Sequence, residues 1–273
     1  MAWRLPHTFA HAGGSVRYGI EGSGPPLVLV HGTPWSSFNW RHIIAALAPR
    51  WRVHYYDLLG YGQSKQREGQ DVSLGLQHGL LCALLDHWQL AAPAIVGHDF
   101  GGTTVLRAHL LDRREFARIA LVDPVAVGPW GSPFFNHVRQ HREAFDGMPA
   151  PIHEAIVGAY VRAAMHTPMA TDTLQGIVRP WLGALGQPAF YRQIAQADQR
   201  FTDEIEPLYA QMRASTLIVW GEQDQWIPIA QGQRLRDAMP GAAWQPIADA
   251  GHLVQEDQPL RLAQTLEAFL LAA

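Results

Sequence analysis

A mostly parallel β-sheet flanked by helices, an α/β architecture, is the fold class that three features of this sequence predict. Strand-like and helix-like signals alternate along most of the chain. Several apolar, strand-like runs pass directly into turns rich in Gly, Asp and His. The alternation then breaks between Pro124 and Pro207, where helical stretches follow one another without a convincing strand.

The elements follow in chain order. The Gly- and Pro-rich residues 22–26 make a turn between early strands, and Leu27-Val28-Leu29-Val30 is a short continuous apolar run of the kind buried on both faces. It leads into His31-Gly32-Thr33-Pro34. A strand over 51–56 precedes Asp57 and the turn Gly60-Tyr61-Gly62-Gln63-Ser64, which the reading makes structural and close to the site. A helix over 74–90 and the strand Ala94-Ile95-Val96 come next, followed by Gly97-His98-Asp99-Phe100-Gly101-Gly102. The strand Ile119-Ala120-Leu121-Val122 ends at Asp123. Helical segments such as 152–165 fill the interruption, after which the strand 215–220 runs into Gly221-Glu222-Gln223-Asp224. The strand 243–247 is followed by Asp249-Ala250-Gly251-His252 and a final helix. These boundaries predict a core of residues 1–124 and 206–273 carrying an inserted helical cap of residues 125–205, with active residues at the strands' carboxyl ends.

Composition narrows the function. The chain has 273 residues, 48% of them apolar, enough for one elaborated domain with a large core. A net charge of −3 without a run of Lys or Arg argues against nucleic-acid or anionic-membrane partners. A small, largely apolar, uncharged substrate and water are the expected partners. Cys82 is the single cysteine, so no intramolecular disulfide forms; a reducing, cytoplasmic setting is expected, with Cys82 simply packed in a helix. The opening Met1-Ala2-Trp3-Arg4-Leu5-Pro6 lacks the apolar core of a signal peptide, and no uninterrupted apolar run reaches the length of a membrane span.

The central signal is Asp99 at the apex of a strand–turn–helix elbow. In the G-x-S-x-G form of this turn, glycines two positions either side of the nucleophile remove clashing side chains. Here an aspartate stands at the apex. A carboxylate is already ionised at neutral pH and attacks carbon without a base, giving an alkyl ester. It is poorly suited to amides and ordinary esters, because the product would be a less stable mixed anhydride. Epoxides and alkyl halides suit it better. The alternative is that Asp99 merely caps the helix that follows. Asp224 is the natural orienting acid and His252 the natural base, and the backbone N–H groups of Thr33 and Phe100 form the expected oxyanion hole.

Together, His31-Gly32-Thr33-Pro34, Asp57 to Ser64, Gly97 to Gly102, Asp224 and Ala250-Gly251-His252, in the chain order nucleophile, acid, histidine, resemble the α/β-hydrolase superfamily. The resemblance is to its aspartate-nucleophile branch of epoxide hydrolases and haloalkane dehalogenases, and it spans nearly the whole chain. It implies an α/β-hydrolase fold with a cap. In the family's epoxide hydrolases a cap tyrosine followed by arginine precedes the acid and protonates the ring oxygen; Tyr191-Arg192 resembles it. A second, earlier cap tyrosine is usual there, for which Tyr160 is the candidate and His137, His141 and His153 are substitutes. Similar dehalogenases place Trp after the nucleophile and often Asn after His-Gly, where this chain has Phe100 and Thr33, although Ser36-Ser37 and Trp40-Arg41 follow their pattern. Trp130 or Trp181 is left to supply a halide donor. Fluoroacetate-type dehalogenases add arginines beside the nucleophile; Phe100 and Thr103 stand there, which disfavours a carboxylate substrate.

The resulting expectation is a cofactor-free hydrolase, epoxides preferred, haloalkanes second. A non-catalytic ligand-binding protein and a hydrolase of another small ester-like substrate stand behind these. Trp130, Phe134 and Trp181 are the expected pocket residues, with Phe135, Phe190 and Tyr191 also candidates for the lining. His137 and His141, at i and i+4, have zinc-like spacing but lack accompanying Cys or HExxH, so no metal is expected. His98 is expected to be structural; Asp123 stands where some members of the resembled family supply the acid, but it is expected to cap or hydrogen-bond at the cap entrance, with Asp224 the acid.

Overall fold

The computed structural model describes residues 3–272, so Met1 and Ala2 of the opening segment lie outside the described residues. The strands are β1 (His7–His11), β2 (Gly14–Glu21), β3 (Pro26–Val30), β4 (Arg52–Tyr56), β5 (Ala94–His98), β6 (Arg118–Val122), β7 (Ser215–Gly221) and β8 (Ala243–Ile247). They form one sheet in the order β1-β2-β4-β3-β5-β6-β7-β8. β1 with β2 and β2 with β4 are antiparallel; all other neighbours are parallel.

The helices of the core are α1 (Arg41–Leu47), α2 (Leu74–His87) and α3 (Phe100–Leu110). Ser73 starts α2 by accepting the Leu76 N–H through its side chain. The helix ends earlier than residue 90 because Gln89 takes a left-handed φ of 58°. Between β6 and β7 the described chain forms no strand. It makes α4 (Pro133–Gln140), α5 (Arg142–Asp146), α6 (Ala150–Arg162), α7 (Thr171–Val178), α8 (Gly183–Ala195) and α9 (Arg200–Asp203). After β7 come α10 (Ile229–Ala238), α11 (Val254–Asp257) and α12 (Pro259–Leu271).

Side-chain alternation divides the core into two layers. Val28 and Val30 pack with Leu81, Leu84 and Leu106 of α2 and α3, a layer continuous with the cap interior. Leu27 and Leu29 face the other way, onto Ile43 and Ile44 of α1 and Leu262 and Leu266 of α12. Each such Leu or Ile contributes about 1.5–3 kcal/mol when fully buried. The parallel registers bring Val30 beside Gly97 and His98 beside Val122, so the turns after β3, β5 and β6 emerge at one sheet edge. The cap is tied to that edge by the Trp181 indole N–H on the Pro34 carbonyl at 2.7 Å and by the Val72 N–H on Gln196 Oε1 at 2.7 Å. No helix among the described residues is long and apolar enough to cross a membrane.

Candidate active site

The turn after β5 holds Asp99 at φ 52° and ψ −122°, a conformation that turns its side chain out of the strand end. Glycine is required around it. A Cβ on Gly97 would lie 2.6 Å from the Gly101 carbonyl oxygen, and one on Gly101 2.2 Å from that of Val30. The Asp99 side chain makes no capping bond to α3, so the helix-cap alternative fails. Instead the Thr33 N–H donates to Asp99 Oδ1 at 2.6 Å, while Oδ2 lies 3.3 Å from His252 Nε2. Thr33–Pro34 is a cis peptide. Phe100 opens α3, whose leading N–H groups lack intrahelical acceptors.

His252 donates from Nδ1 to Asp224 Oδ2 at 2.8 Å. The other oxygen of Asp224 accepts the N–H groups of Trp226 and Ile227 at 2.7 and 2.9 Å, so the acid is fixed by its own turn. His98, fully buried, donates Nε2–H to the His252 carbonyl at 2.9 Å, which makes it a brace for the histidine loop and agrees with a structural role. Asp57 is likewise structural: it accepts the Ser37 N–H and hydroxyl and the Gln63 N–H.

A cavity of about 30 Å³ lies over Asp99, room for roughly two water molecules. Its walls include Trp130, Phe135, Tyr160, Trp226 and Ile227. Trp226 stacks on His252 at 5.2 Å between ring centroids and on Tyr160 at 4.3 Å, joining base, core loop and cap.

A family model described as the alpha/beta hydrolase fold matches residues 25–259. The chain belongs to that family. An alpha/beta hydrolase fold protein from Burkholderia ambifaria has a crystal structure 48% identical to this α/β hydrolase, with a TM-score of 0.95 over 97% of this chain and 98% of that one. The dihydrolipoyllysine-residue acetyltransferase component of the acetoin cleaving system of Cupriavidus necator is 31% identical over 89% of this chain, which spans 63% of that protein's length. Haloalkane dehalogenase 2 of Mycobacterium bovis is 26% identical, over 94% of this chain and 92% of the relative. This α/β hydrolase is accordingly a hydrolase of the superfamily.

Within the hydrolase, several expected site residues stand elsewhere. Tyr191 does not line the cavity; its ring is fully buried in the cap and its hydroxyl pairs with His153 Nδ1 at 2.9 Å. His153 is thereby engaged as well. Phe134 stands behind Tyr160, with ring centroids 4.9 Å apart. Trp181 packs on Tyr61 at 5.3 Å and spends its N–H on Pro34; Trp130 lines the cavity but spends its N–H on Thr202 Oγ1 at 2.9 Å. Phe190 is buried between Trp181 and Tyr191. Asp123 is not at the cap entrance: it is fully buried beside Asp224 and His252. Trp226 and Ile227 escaped the sequence reading, although their position two and three residues past Asp224 was a signal, since a turn that binds the acid must lie against the site.

Electrostatics sets the protonation states. Burial opposes charge on His252, but the facing carboxylates of Asp224 and Asp99 outweigh it and hold the imidazole well above its ordinary range. Burial and the Asp99 charge push the Tyr160 phenol up, against a smaller opposing pull from the Ser132 hydroxyl, so it keeps its proton. Asp123, Asp224 and His252 have a composition that could hold a cation, with one ligating atom of each within 4.8 Å of the others. Asp224 and His252 are already hydrogen-bonded to each other.

Proposed function

We propose that this hydrolase opens epoxides through an ester on Asp99. One Asp99 oxygen attacks a ring carbon, the ring C–O bond breaks, and the departing oxygen takes the phenolic proton of Tyr160. The hydroxyalkyl ester is then attacked at Cγ by water, with His252 taking the water's proton. The N–H groups of Thr33 and Phe100 meet the negative charge on the remaining Asp99 oxygen. Collapse of this intermediate releases a diol and restores the carboxylate, while the proton on His252 returns through solvent to Tyr160. No cofactor is required by this sequence of steps.

The observation that carries this reading is the Tyr160 phenol on the wall of the cavity floored by Asp99. In this proposal Tyr160 takes the ring-opening role first expected of Tyr191, whose hydroxyl is committed to His153. Charge changes favour the order of events. Esterification removes the Asp99 charge that raises both His252 and Tyr160, so the phenol releases its proton more readily as the ring opens. The imidazole then reverts towards its neutral, basic form when water must be activated. A mainly apolar lining suits a small, uncharged substrate.

Haloalkane dehalogenation is the second reading, favoured by the similarity to Haloalkane dehalogenase 2. Against it stand Phe100, which has no polar N–H in its side chain, and the two occupied indole N–H groups of Trp130 and Trp181. Intact mass of His252→Gln after incubation with panels of epoxides and haloalkanes distinguishes the readings. An epoxide adds its whole mass to Asp99, whereas a haloalkane adds only its alkyl group. Expected are epoxide adducts whose formation slows on the order of a hundredfold in Tyr160→Phe, with a much smaller effect of Tyr191→Phe. Alkyl adducts alone would establish the dehalogenase reading. An unmodified His252→Gln, when wild type turns a panel member over, would refute the ester mechanism.

A further inference from the structure

The turn that supplies the Thr33 N–H is gripped from the cap. Gly32 has no room for a side chain, because a Cβ there would lie 2.2 Å from Asp99 Oδ1. Glycine restrains its own peptide least, and that peptide carries the Thr33 N–H. Its carbonyl end is fixed within the turn by the Trp35 N–H at 3.1 Å and by the His31 ring Nδ1 at 2.8 Å. Its other end continues into Thr33, whose branched side chain is stiff about its first bond. The Thr33 hydroxyl donates to Gln193 Oε1 on cap helix α8, and the Tyr61 hydroxyl donates to the same oxygen at 3.3 Å. All three residues are buried. The amide nitrogen of Gln193 is buried without a hydrogen-bond partner, so holding the two hydroxyls is all the hydrogen bonding this side chain does. Its buried helix neighbours Phe190 and Ile194 are apolar, and a half-satisfied amide among them lowers the stability of the cap. Packing alone would favour an apolar residue there.

From this arrangement we infer that Gln193 is a positioning residue of the oxyanion hole, which fixes the Thr33 side chain and with it the aim of the Thr33 N–H at Asp99 Oδ1. The cap thereby completes a catalytic element that the core alone leaves loose. The consequence is specific to one step. As the ester forms, charge leaves the oxygen that the Thr33 N–H holds; when water adds to the ester, full negative charge returns to it. Gln193 therefore serves breakdown of the ester and not its formation. That consequence rests on the Asp99 ester reading; the hold of Gln193 on the turn does not.

Two measurements separate these dependences. The first is a single turnover of an epoxide with His252 intact, followed by intact mass. Gln193→Leu removes the acceptor and keeps most of the bulk. It is expected to form the adduct within about twofold of the wild-type rate and to lose it on the order of 10- to 100-fold more slowly, so covalent enzyme accumulates. Thr33→Val deletes the same hydrogen bond from the core side, so the test does not hang on one variant folding. It should slow breakdown comparably, and the double variant should be no more than about twofold slower than the slower single. Unchanged breakdown, equal slowing of both steps as a loosened cap would give, or losses that multiply in the double variant would each overturn the inference. If His252→Gln forms no adduct with any epoxide or haloalkane, the ester reading has failed, and the second measurement decides the role of Gln193 without substrate. It is the amide proton resonance of Thr33, held downfield by the hydrogen bond to Asp99. Gln193→Leu is expected to move it upfield while the rest of the folded spectrum is retained. A Thr33 resonance that stays in place would overturn the positioning role.

Discussion

His252 sits among three carboxyl groups, and their separate duties follow from what each touches. Asp99 reaches the cavity, Asp224 holds the imidazole, and Asp123 has one oxygen without a partner. Asp99→Asn keeps the side chain's shape and its acceptor for the Thr33 N–H but has no anionic oxygen. Turnover should fall at least about 10⁴-fold while the folded circular dichroism spectrum is retained; freshly prepared variant with wild-type activity would remove Asp99 as nucleophile. Asp123 gives a pH signature in stability, because burial and then the Asp224 charge push its carboxyl well above the usual range. Above the ordinary carboxylate range, the unfolded chain has lost this proton and the folded chain keeps it, so folding takes up a proton and stability falls as pH rises. The contribution is about 1.4 kcal/mol per pH unit until the folded carboxyl itself ionises. Asp123→Asn removes that uptake, so its melting temperature should decline less steeply than wild type as pH rises above the ordinary carboxylate range. Parallel declines would show that Asp123 is ionised.

At the scale of elements, the elbow is the least forgiving segment. The Cβ added by Gly101→Ala meets the Val30 carbonyl of central strand β3, which has neighbours on both sides and cannot move away cheaply. Urea unfolding should show a loss of about 3 kcal/mol or more, and wild-type stability would mean that the turn relaxes. The interior strands were legible because burial on both faces demands continuous apolar runs such as Leu27 to Val30 and Ile119 to Val122. The meeting of Asp99, Asp224 and His252 was legible because placing a side chain at the end of a parallel strand needs only the correct strand and turn. β1 is different: His7–His11 alternates exposed and half-buried residues at a sheet edge, too weak a pattern to stand out. The cap's cavity-facing residues were harder still. Tyr160 on α6 and Tyr191 on α8 both belong to helices, but which phenol enters the cavity depends on how those helices dock, a long-range outcome that spacing within one helix does not encode. The same limit explains Asp123, whose neighbour Asp224 is joined to it by sheet registry rather than by sequence proximity.

For the whole molecule, the core supplies the fixed edge of the sheet and the cap supplies the roof, leaving a space far smaller than an ordinary ligand pocket. The proposed chemistry takes place between one Asp99 oxygen held by Thr33 and another facing His252. Under the proposed mechanism these two atoms have different histories. The oxygen facing His252 attacks, leaves inside the product and is replaced by the oxygen of water; its partner at Thr33 stays with the protein through every cycle. During repeated turnover in water enriched in heavy oxygen, the protein's mass should rise by the exchange of one oxygen atom and then stop, with the label confined to the Asp99 peptide. The first product molecule from each enzyme should be unlabelled. Two heavy oxygens in Asp99 would show that the carboxylate flips between cycles, and label in the first product with none in Asp99 would show direct attack by water. Under that mechanism the asymmetric seat of a single carboxylate gives the enzyme an isotopic memory, in which one half of a side chain is consumable and the other permanent.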